Sequence, residues 1–391
     1  IMLKIDWKYE EDMPFCSEEH IFNKIKNHLV ISCGFNRSRR GKYRYNGFND
    51  MTCVYNLETK KWKKIGKFPG GKRQGARSVV VNDEMYCWGG WKYNPMNKEL
   101  LKKVSRDKWP VKRGCVTFSN GYKLSYDEKT DIWKWTKLIN LPYSSTNSCL
   151  SSDKNKIYLC TGSVCDPKYG QLSTDIDNVG NRLFVLDTSK NDMKWEELKP
   201  FPGKQRMNAV SFIYKKHLYV LGGIYSNSTW SYGDISDYHR FMSILDNWKY
   251  DIKNDTWTRL SDNPYYMTGF SSSDNILYNG KAVLYGSSYR LSSIVDGKMI
   301  ENNLVKVVNI DVNKKNYLYG KFKTCGLIIT YDIENDKFEK LNSTYVANIN
   351  LPMYQIYGNK IYSTGGEIPT CESNKRCKAT HLEVFTIGTL S

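Results

Sequence analysis

Long apolar runs are missing from this chain of 391 residues. No segment approaches the roughly 20 consecutive apolar residues that a bilayer-crossing helix needs, and no basic-then-apolar leader opens the sequence. Acidic residues are the minority: 40 Asp and Glu against 58 Lys and Arg leave a net charge of +18. That balance attracts acidic peptides, anionic sugars, nucleic acids or membrane surfaces. Histidine is scarce, at five residues, and no Cys/His spacing resembles a zinc site. No Ser/His/Asp, phosphate-loop or paired-acid motif has a recognisable spacing. No membrane-spanning helix is expected within these residues, and no metal or cofactor.

What is present is a repeat. Trp7 stands seven residues before Pro14, and the interval recurs at Trp62–Pro69, Trp195–Pro202 and Trp257–Pro264. A second motif is an apolar run ending at glycine. It reads His28-Leu-Val-Ile-Ser-Cys-Gly34, Met85-Tyr-Cys-Trp-Gly-Gly90, Ile157-Tyr-Leu-Cys-Thr-Gly162, Leu218-Tyr-Val-Leu-Gly-Gly223, Ala282-Val-Leu-Tyr-Gly286 and Ile361-Tyr-Ser-Thr-Gly-Gly366. Between these runs lie Val54-Tyr55, Tyr126-Asp127, Leu186-Asp187, Tyr250-Asp251 and Tyr331-Asp332, leading to Trp62, Trp133, Trp195, Trp257 and Phe338. Short β-branched and aromatic runs bounded by glycine and Asn/Asp turns are strand signals. The Trp of each copy is expected to fill the space between neighbouring sheets. The Trp7 copy has nothing before it, and its missing half is Leu382-Glu-Val-Phe-Thr-Ile387 at the other end. The chain is therefore expected to close on itself, with a seam joining residues 7 and 385. A repeat of this period means a solenoid or a propeller, and the split copy favours the propeller.

These residues resemble the kelch repeat: Gly-Gly, then Tyr-Asp, then Trp, then Leu/Phe-Pro. The resemblance covers nearly the whole chain. Copies two and four fit best, with a double glycine and the starts Pro69-Gly70 and Pro202-Gly203. It implies an all-β, six-bladed kelch-type β-propeller with four antiparallel strands per blade and a last blade closed by strands from both termini. The expected blades are 15–68, 69–141, 142–201, 202–263, 264–351 and 352–391 closed by 1–14, in a single domain.

Eleven cysteines is an odd count. Cys33, Cys53, Cys87, Cys160 and Cys325 fall in or beside expected strands, where cysteine acts as a small buried hydrophobe. This favours free thiols and a cytoplasmic setting. Cys371 and Cys377 flank one loop and form either a local bridge or two loop thiols.

The stretches after the glycines are long in nearly every copy: 35–52, 91–122, 163–182, 224–247, 287–323 and 367–380. Long loops on a rigid scaffold concentrate function. The first holds Arg37, Arg39 and Arg40, whose planar guanidinium groups suit carboxylates and phosphates. The blade starts add Lys72, Arg73 and Gln74, then Lys204, Gln205 and Arg206. Arg73 and Arg206 match, four residues after Pro69 and Pro202. In propellers resembling this one such arginines point at the central opening and bind anionic groups; the alternative is that they brace a neighbouring loop acid. Trp230 and Tyr238 are candidates for a ligand wall.

The leading expectation is a non-catalytic recognition module, a monomer docking an acidic protein segment on its basic, loop-rich face. The runner-up is a pocket enzyme acting on an anionic sugar or nucleotide, as in the sialic-acid mutarotases or epimerases of similar architecture. Arg73 and Arg206 would be its anion anchors, and Glu19, His20 or His239 its proton-transfer candidates. Copper-radical oxidases and iron-dependent specifier proteins share the architecture, but their ligand sets are not found. Nucleic-acid binding is third, supported by charge without a motif.

Overall fold

The Tyr-Asp pairs, and Leu186-Asp187 in the third copy, turn the chain. The Asp127, Asp187 and Asp251 carboxylates each accept a hydrogen bond from the backbone N–H two residues on, at 3.0, 3.0 and 2.9 Å. This is the Asx turn. In three copies the preceding tyrosine closes the far side. Tyr126, Tyr250 and Tyr331 donate to Asp131, Asp255 and Asp336 at 3.2, 2.6 and 2.7 Å. Those acceptors sit at φ of 53°, 51° and 49°, a left-handed conformation that Asp tolerates because its short side chain bonds locally. So Tyr-Asp-x₃-Asp is a complete hairpin instruction.

The computed structural model describes residues 3–36, 47–93, 115–166, 171–175, 180–226, 241–264, 274–284, 292–295, 298–301, 328–341, 352–370, 378–381 and 383–391. Among them there is no helix, and six antiparallel sheets of four main strands succeed one another as the blades of a propeller. Blade 1 runs Ile21–Ile25, His28–Ser32, Met51–Asn56, Lys61–Lys67. Blade 2 runs Gln74–Val81, Glu84–Tyr93, Gly121–Asp127, Ile132–Leu138, with Cys115–Thr117 added beside Glu84–Tyr93. Blade 3 runs Cys149–Asp153, Lys156–Cys160, Leu183–Asp187, Trp195–Leu198. Blade 4 runs Val210–Tyr214, His217–Leu221, Asn247–Asp251, Thr256–Leu260. Blade 5 runs Leu277–Tyr278, Lys281–Leu284, Ile328–Asp332, Lys337–Leu341. Blade 6 runs Met353–Tyr357, Lys360–Thr364, Val384–Leu390 and, from the other end of the chain, Ile5–Asp12.

That last pairing is the expected seam, in a slightly different register. Trp7 lies opposite Gly388 and Glu11 opposite Phe385, with an irregularity between Tyr9 and Glu11. A Cβ on Gly388 would stand 3.1 Å from the Trp7 ring and 2.4 Å from Ile361, so the bare backbone is what lets the indole cross the sheet.

The core is a set of slabs between adjacent blades. Val79, Tyr86 and Trp88 of blade 2 pack on Leu150, Ile157, Leu159 and Phe184 of blade 3. The repeat tryptophans work at these boundaries. The Trp62 ring meets Phe385 of blade 6 at 5.9 Å, Trp133 meets His28 of blade 1 at 5.4 Å, and Trp195 meets Trp88 of blade 2 at 5.4 Å. Trp257 packs on Phe201 at 5.1 Å and donates to the Lys199 carbonyl at 3.0 Å.

The stretches after the glycines carry strands of their own. Short hairpins occur at Val164–Asp166/Gln171–Ser173, Ile224–Ser226/Phe241–Ile244, Ser292–Val295/Lys298–Glu301 and Glu367–Thr370/Lys378–His381. The second and third join through a parallel pairing of Ser243 and Ile244 with Ser293 and Ile294.

The cysteine expectation needs one correction. Cys33, Cys53, Cys87 and Cys160 are buried thiols, as is Cys149. A long-range disulfide nevertheless joins Cys115 to Cys165, 50 residues apart, with Cα atoms 5.4 Å from each other. Spacing alone conceals it, because the propeller brings together inserts of consecutive blades. Cys325, Cys371 and Cys377 lie outside the described residues.

Candidate functional site

Each blade begins with a short segment that hands the chain from its neighbour to the ring axis. In blades 1, 2, 3 and 4 one position of this segment is left-handed: Glu19, Gly75, Asn147 and Asn208, at φ of 47°, 68°, 54° and 53°. These four are stitched in sequence around the axis. The N–H groups of Gly75, Asn147 and Asn208 donate to the carbonyls of Glu19, Gly75 and Asn147, each at 2.9 Å. A second stitch uses the last glycine of four of the six apolar runs. Gly366, Gly34, Gly90 and Gly162 donate to the carbonyls of Ser17, Arg73, Ser145 and Arg206 in the following blade, at 2.8, 2.8, 2.9 and 2.8 Å. Gly34, at φ +96°, has no room for a side chain, since a Cβ would stand 1.9 Å from Ser17 Oγ. The signature glycine is thus a blade-to-blade coupling.

The side chains of this inner ring form one polar cluster. Glu19 is 4 % exposed. Its Oε2 accepts from Gln74 Nε2 at 2.7 Å and its Oε1 from Asn208 Nδ2 at 3.0 Å. Blades 1 and 4 stand opposite in a ring of six, so the Glu19–Asn208 bond crosses the axis and closes it at this level. Arg77 reaches the same place from the innermost strand of blade 2 and donates from Nη2 to Asn208 Oδ1 at 2.6 Å. Burial pulls its guanidinium below the ordinary value, and the Glu19 carboxylate pulls it back up. Arg77 Nη1 and Asn147 Oδ1 are buried and have no hydrogen-bond partner among the described residues. Buried polar atoms are rarely left so. An unpartnered donor on a buried cation can take up a carboxylate, and an unpartnered amide oxygen a hydroxyl. No group of three or more His, Cys, Asp or Glu side chains suited to a metal occurs among the described residues.

The residues singled out from the sequence fall in different places. Glu19 is in the cluster, and Gln74, named beside Arg73, is with it. His20 is next in the chain but faces away, fully buried, with Nε2 2.9 Å from Thr364 Oγ1 of blade 6. Burial lowers its pKa to about 3, so it stays neutral and its expected part in proton transfer is not supported. Arg73 and Arg206 are fully buried within their own blades. Arg73 donates to the carbonyls of Gly89 and Gly70 and to Asn120 Oδ1, the first and last at 2.8 and 2.7 Å, and lies 4.0 Å over the Phe118 ring. Arg206 donates to the Gly222 and Asp246 carbonyls, both at 2.9 Å, and to both Asp246 carboxylate oxygens at 3.0 Å. Their matched positions reflect a matched brace, which was the alternative reading. Lys72 and Lys204 are exposed, and Gln205 is half-buried. Lys204 sits 3.5 Å from Asp175. Arg37, Arg39, Arg40, Trp230, Tyr238 and His239 lie outside the described residues.

Arg77, Asn147 and Asn208 were missed. The signal was there for Arg77: a lone cation in the apolar run Gly75-Ala-Arg-Ser-Val-Val-Val81 is a buried charge in need of a reason.

Comparison with known proteins gives a local match and a shared fold. Over 112 residues the chain is 34 % identical to the N-acetylneuraminate epimerases of Shigella flexneri and of Escherichia coli (strain K12). The match takes in 28 % of this chain and 27 % of each relative, so it spans about a quarter of their length. The solved structure of YjhT superposes with a TM-score of 0.52 at 16 % identity, covering 83 % of this chain and 84 % of that one. At that identity the likeness speaks for the propeller fold alone. No protein-family model matches the chain.

Proposed function

We propose that this kelch-type propeller binds an anionic sugar of the N-acetylneuraminate class over the Glu19–Arg77–Asn208 cluster and interconverts its anomers. The carrying observation is the buried cation Arg77, held against a carboxylate on the ring axis with one guanidinium nitrogen unpartnered. The local similarity to N-acetylneuraminate epimerases supports it. Arg77 Nη1 would receive the sugar carboxylate. Glu19 would take the proton of the anomeric hydroxyl, the ring C–O bond would open, and the ring oxygen would gain a proton from water; on closure both protons go back. Closure on the other carbonyl face returns the second anomer, with no electron transferred and no cofactor required. Arg73 and Arg206 have no part in this.

The test is NMR exchange between the anomers of N-acetylneuraminate with and without protein. Arg77→Gln should weaken sugar binding about 10- to 100-fold, the loss of a charge-assisted hydrogen bond. Glu19→Gln should keep binding and lose the acceleration. If the parent neither binds the sugar nor speeds exchange, the proposal fails.

A second reading keeps the recognition module. The +18 charge and the stranded inserts favour docking of an acidic protein segment on the loop face. Such docking would weaken steeply with salt, show no turnover, and be indifferent to Arg77→Gln.

A further inference from the structure

The inserts after the glycines are tied side to side around the loop face, and the ties differ in kind. Between blades 3 and 4 the tie is a hydrogen-bonded mesh. Thr174 N donates to the Ser226 carbonyl at 2.9 Å, Ser226 N to Thr174 Oγ1 at 3.1 Å and Ser226 Oγ to the Leu172 carbonyl at 3.2 Å. Tyr225 OH adds a bond to Asp175 at 2.8 Å. Between blades 4 and 5 it is the parallel pairing of Ser243 and Ile244 with Ser293 and Ile294. Between blades 2 and 3 two three-residue strands meet, Cys115–Thr117 and Val164–Asp166. Cys165 N donates to Thr117 Oγ1 across them, a long contact at 3.4 Å. Around it Tyr93, Cys115 and Cys165 pack on Phe35, Phe48, Trp91 and Leu172. The covalent bond crosses this joint inside that apolar packing.

From this we infer that Cys115–Cys165 is a thiol–disulfide exchange site whose reduction loosens the blade 2–blade 3 part of the wall and leaves the blades intact. Both sulfurs belong to half-buried residues on the loop face. Cys33, Cys53, Cys87, Cys149 and Cys160 are buried inside blades, where burial pushes the Cys33 thiol up to about 12 and the Cys53 thiol up to about 11. Attack by an external thiol needs an approachable sulfur; the bridged residues are half-buried where those five are buried, and Cys16, the other half-buried cysteine among the described residues, is a thiol with no disulfide bond to exchange. A low-molecular-mass thiolate such as glutathione attacks one sulfur, forming a mixed disulfide and releasing the partner as a thiolate. A second glutathione resolves the mixed disulfide. Two protein thiols and one glutathione disulfide result, with the two electrons supplied by glutathione. The strands on either side hold their places through separate ladders, Glu84–Tyr93 with Gln74–Val81 and Lys156–Cys160 with Cys149–Asp153.

The experiment is alkylation mapping combined with hydrogen exchange, on the native protein in reduced and then oxidised glutathione. Reduced buffer should expose Cys115 and Cys165 to iodoacetamide as a pair while the five buried thiols stay unlabelled. Amide exchange at residues 115–117 and 164–166 should rise at least tenfold, with the inner strands of blades 2 and 3 unchanged. Glutathione disulfide should reverse both effects. A Cys115→Ser/Cys165→Ser protein should match the reduced parent in either buffer. Three results would overturn the inference: a bridge that resists reduction in the native state, reduction without faster local exchange, or labelling of buried thiols along with the pair. Failure of the double variant to fold also counts against it, because reduction is required to leave the blades standing.

Discussion

Replacing Arg206 with Ala separates a brace from a ligand anchor. The side chain is fully buried, and its partner Asp246 keeps 14 % of its side-chain exposure. Removing the guanidinium strands that carboxylate, which retains Trp248 Nε1 at 2.5 Å, and takes donors from the Gly222 and Asp246 carbonyls. Breaking a buried pair from one side costs about 3–5 kcal/mol. A chain of 391 residues has an unfolding entropy of about 0.8 kcal/mol/K, so the melting temperature should fall by about 4–6 °C. Arg259→Ala is the control. It breaks a pair of similar length, 2.8 Å to Asp262, but with side chains 41 % and 35 % exposed. Screening there limits the loss to under about 1 kcal/mol, or about 1 °C. Adding Asp246→Asn to Arg206→Ala should recover part of the loss, because the stranded charge is gone. The assay is differential scanning calorimetry with far-UV circular dichroism of the folded state. An Arg206→Ala protein that melts with the parent and binds an anionic ligand more weakly would refute the bracing argument.

Two further outcomes follow from burial and from the seam. The folded-state pKa of His20 is depressed to about 3 against an unfolded value of about 6.5. The unfolded chain therefore takes up a proton first as pH falls. The stabilising effect of the neutral ring is complete above pH ~6.5 and is lost toward pH 3 at up to about 1.4 kcal/mol per pH unit. Urea titrations from pH 7 to pH 4 should show a shallower acid loss for His20→Gln than for the parent, and parallel curves would sink the assignment. Deleting residues 1–12 removes the strand Ile5–Asp12 and bares the edge of Val384–Leu390. That truncation should lower the melting temperature and promote association through the open edge, whereas an unchanged melt and a monomeric sizing profile would contradict the closure.

The propeller was legible because its determinants are local and repeated. Tyr-Asp-x₃-Asp encodes a hairpin, and glycine at the end of an apolar run encodes a blade contact. Tryptophan at a fixed place encodes the filling between blades. The inner cluster was less legible, because Glu19, Arg77 and Asn208 are far apart in sequence and meet only when blades 1, 2 and 4 converge on the axis. Arg73 and Arg206 misled for the opposite reason. They recur at matched positions, and recurrence in a repeat protein marks what every blade needs. Each is aimed back at its own glycine pair, Gly89 or Gly222, and the glycine after each Pro makes room. A Cβ on Gly70 or Gly203 would stand 2.6 or 2.7 Å from the guanidinium it faces.

In a ring of near-equivalent blades, function is to be sought where one copy departs from the others at a physical disadvantage. The left-handed position of the inner segment is filled by Gly75, Asn147 and Asn208, the residue types that adopt it most readily. Blade 1 places a glutamate there, at φ 47°, without the short-range side-chain bonding that favours Asn or Asp. The next blade adds an arginine within its innermost strand, where the equivalent residues of blades 1, 3, 4 and 6, read from the pairings beside the glycine runs, are Ile21, Cys149, Val210 and Met353. A backbone in a disfavoured region and a charge in a dry one each oppose folding. Structure alone would be served better by Asn at 19 and an aliphatic at 77. Both exceptions fall on the axis, in adjacent blades and within reach of one amide, Asn208, which is where the proposed ligand would offset the stability forgone.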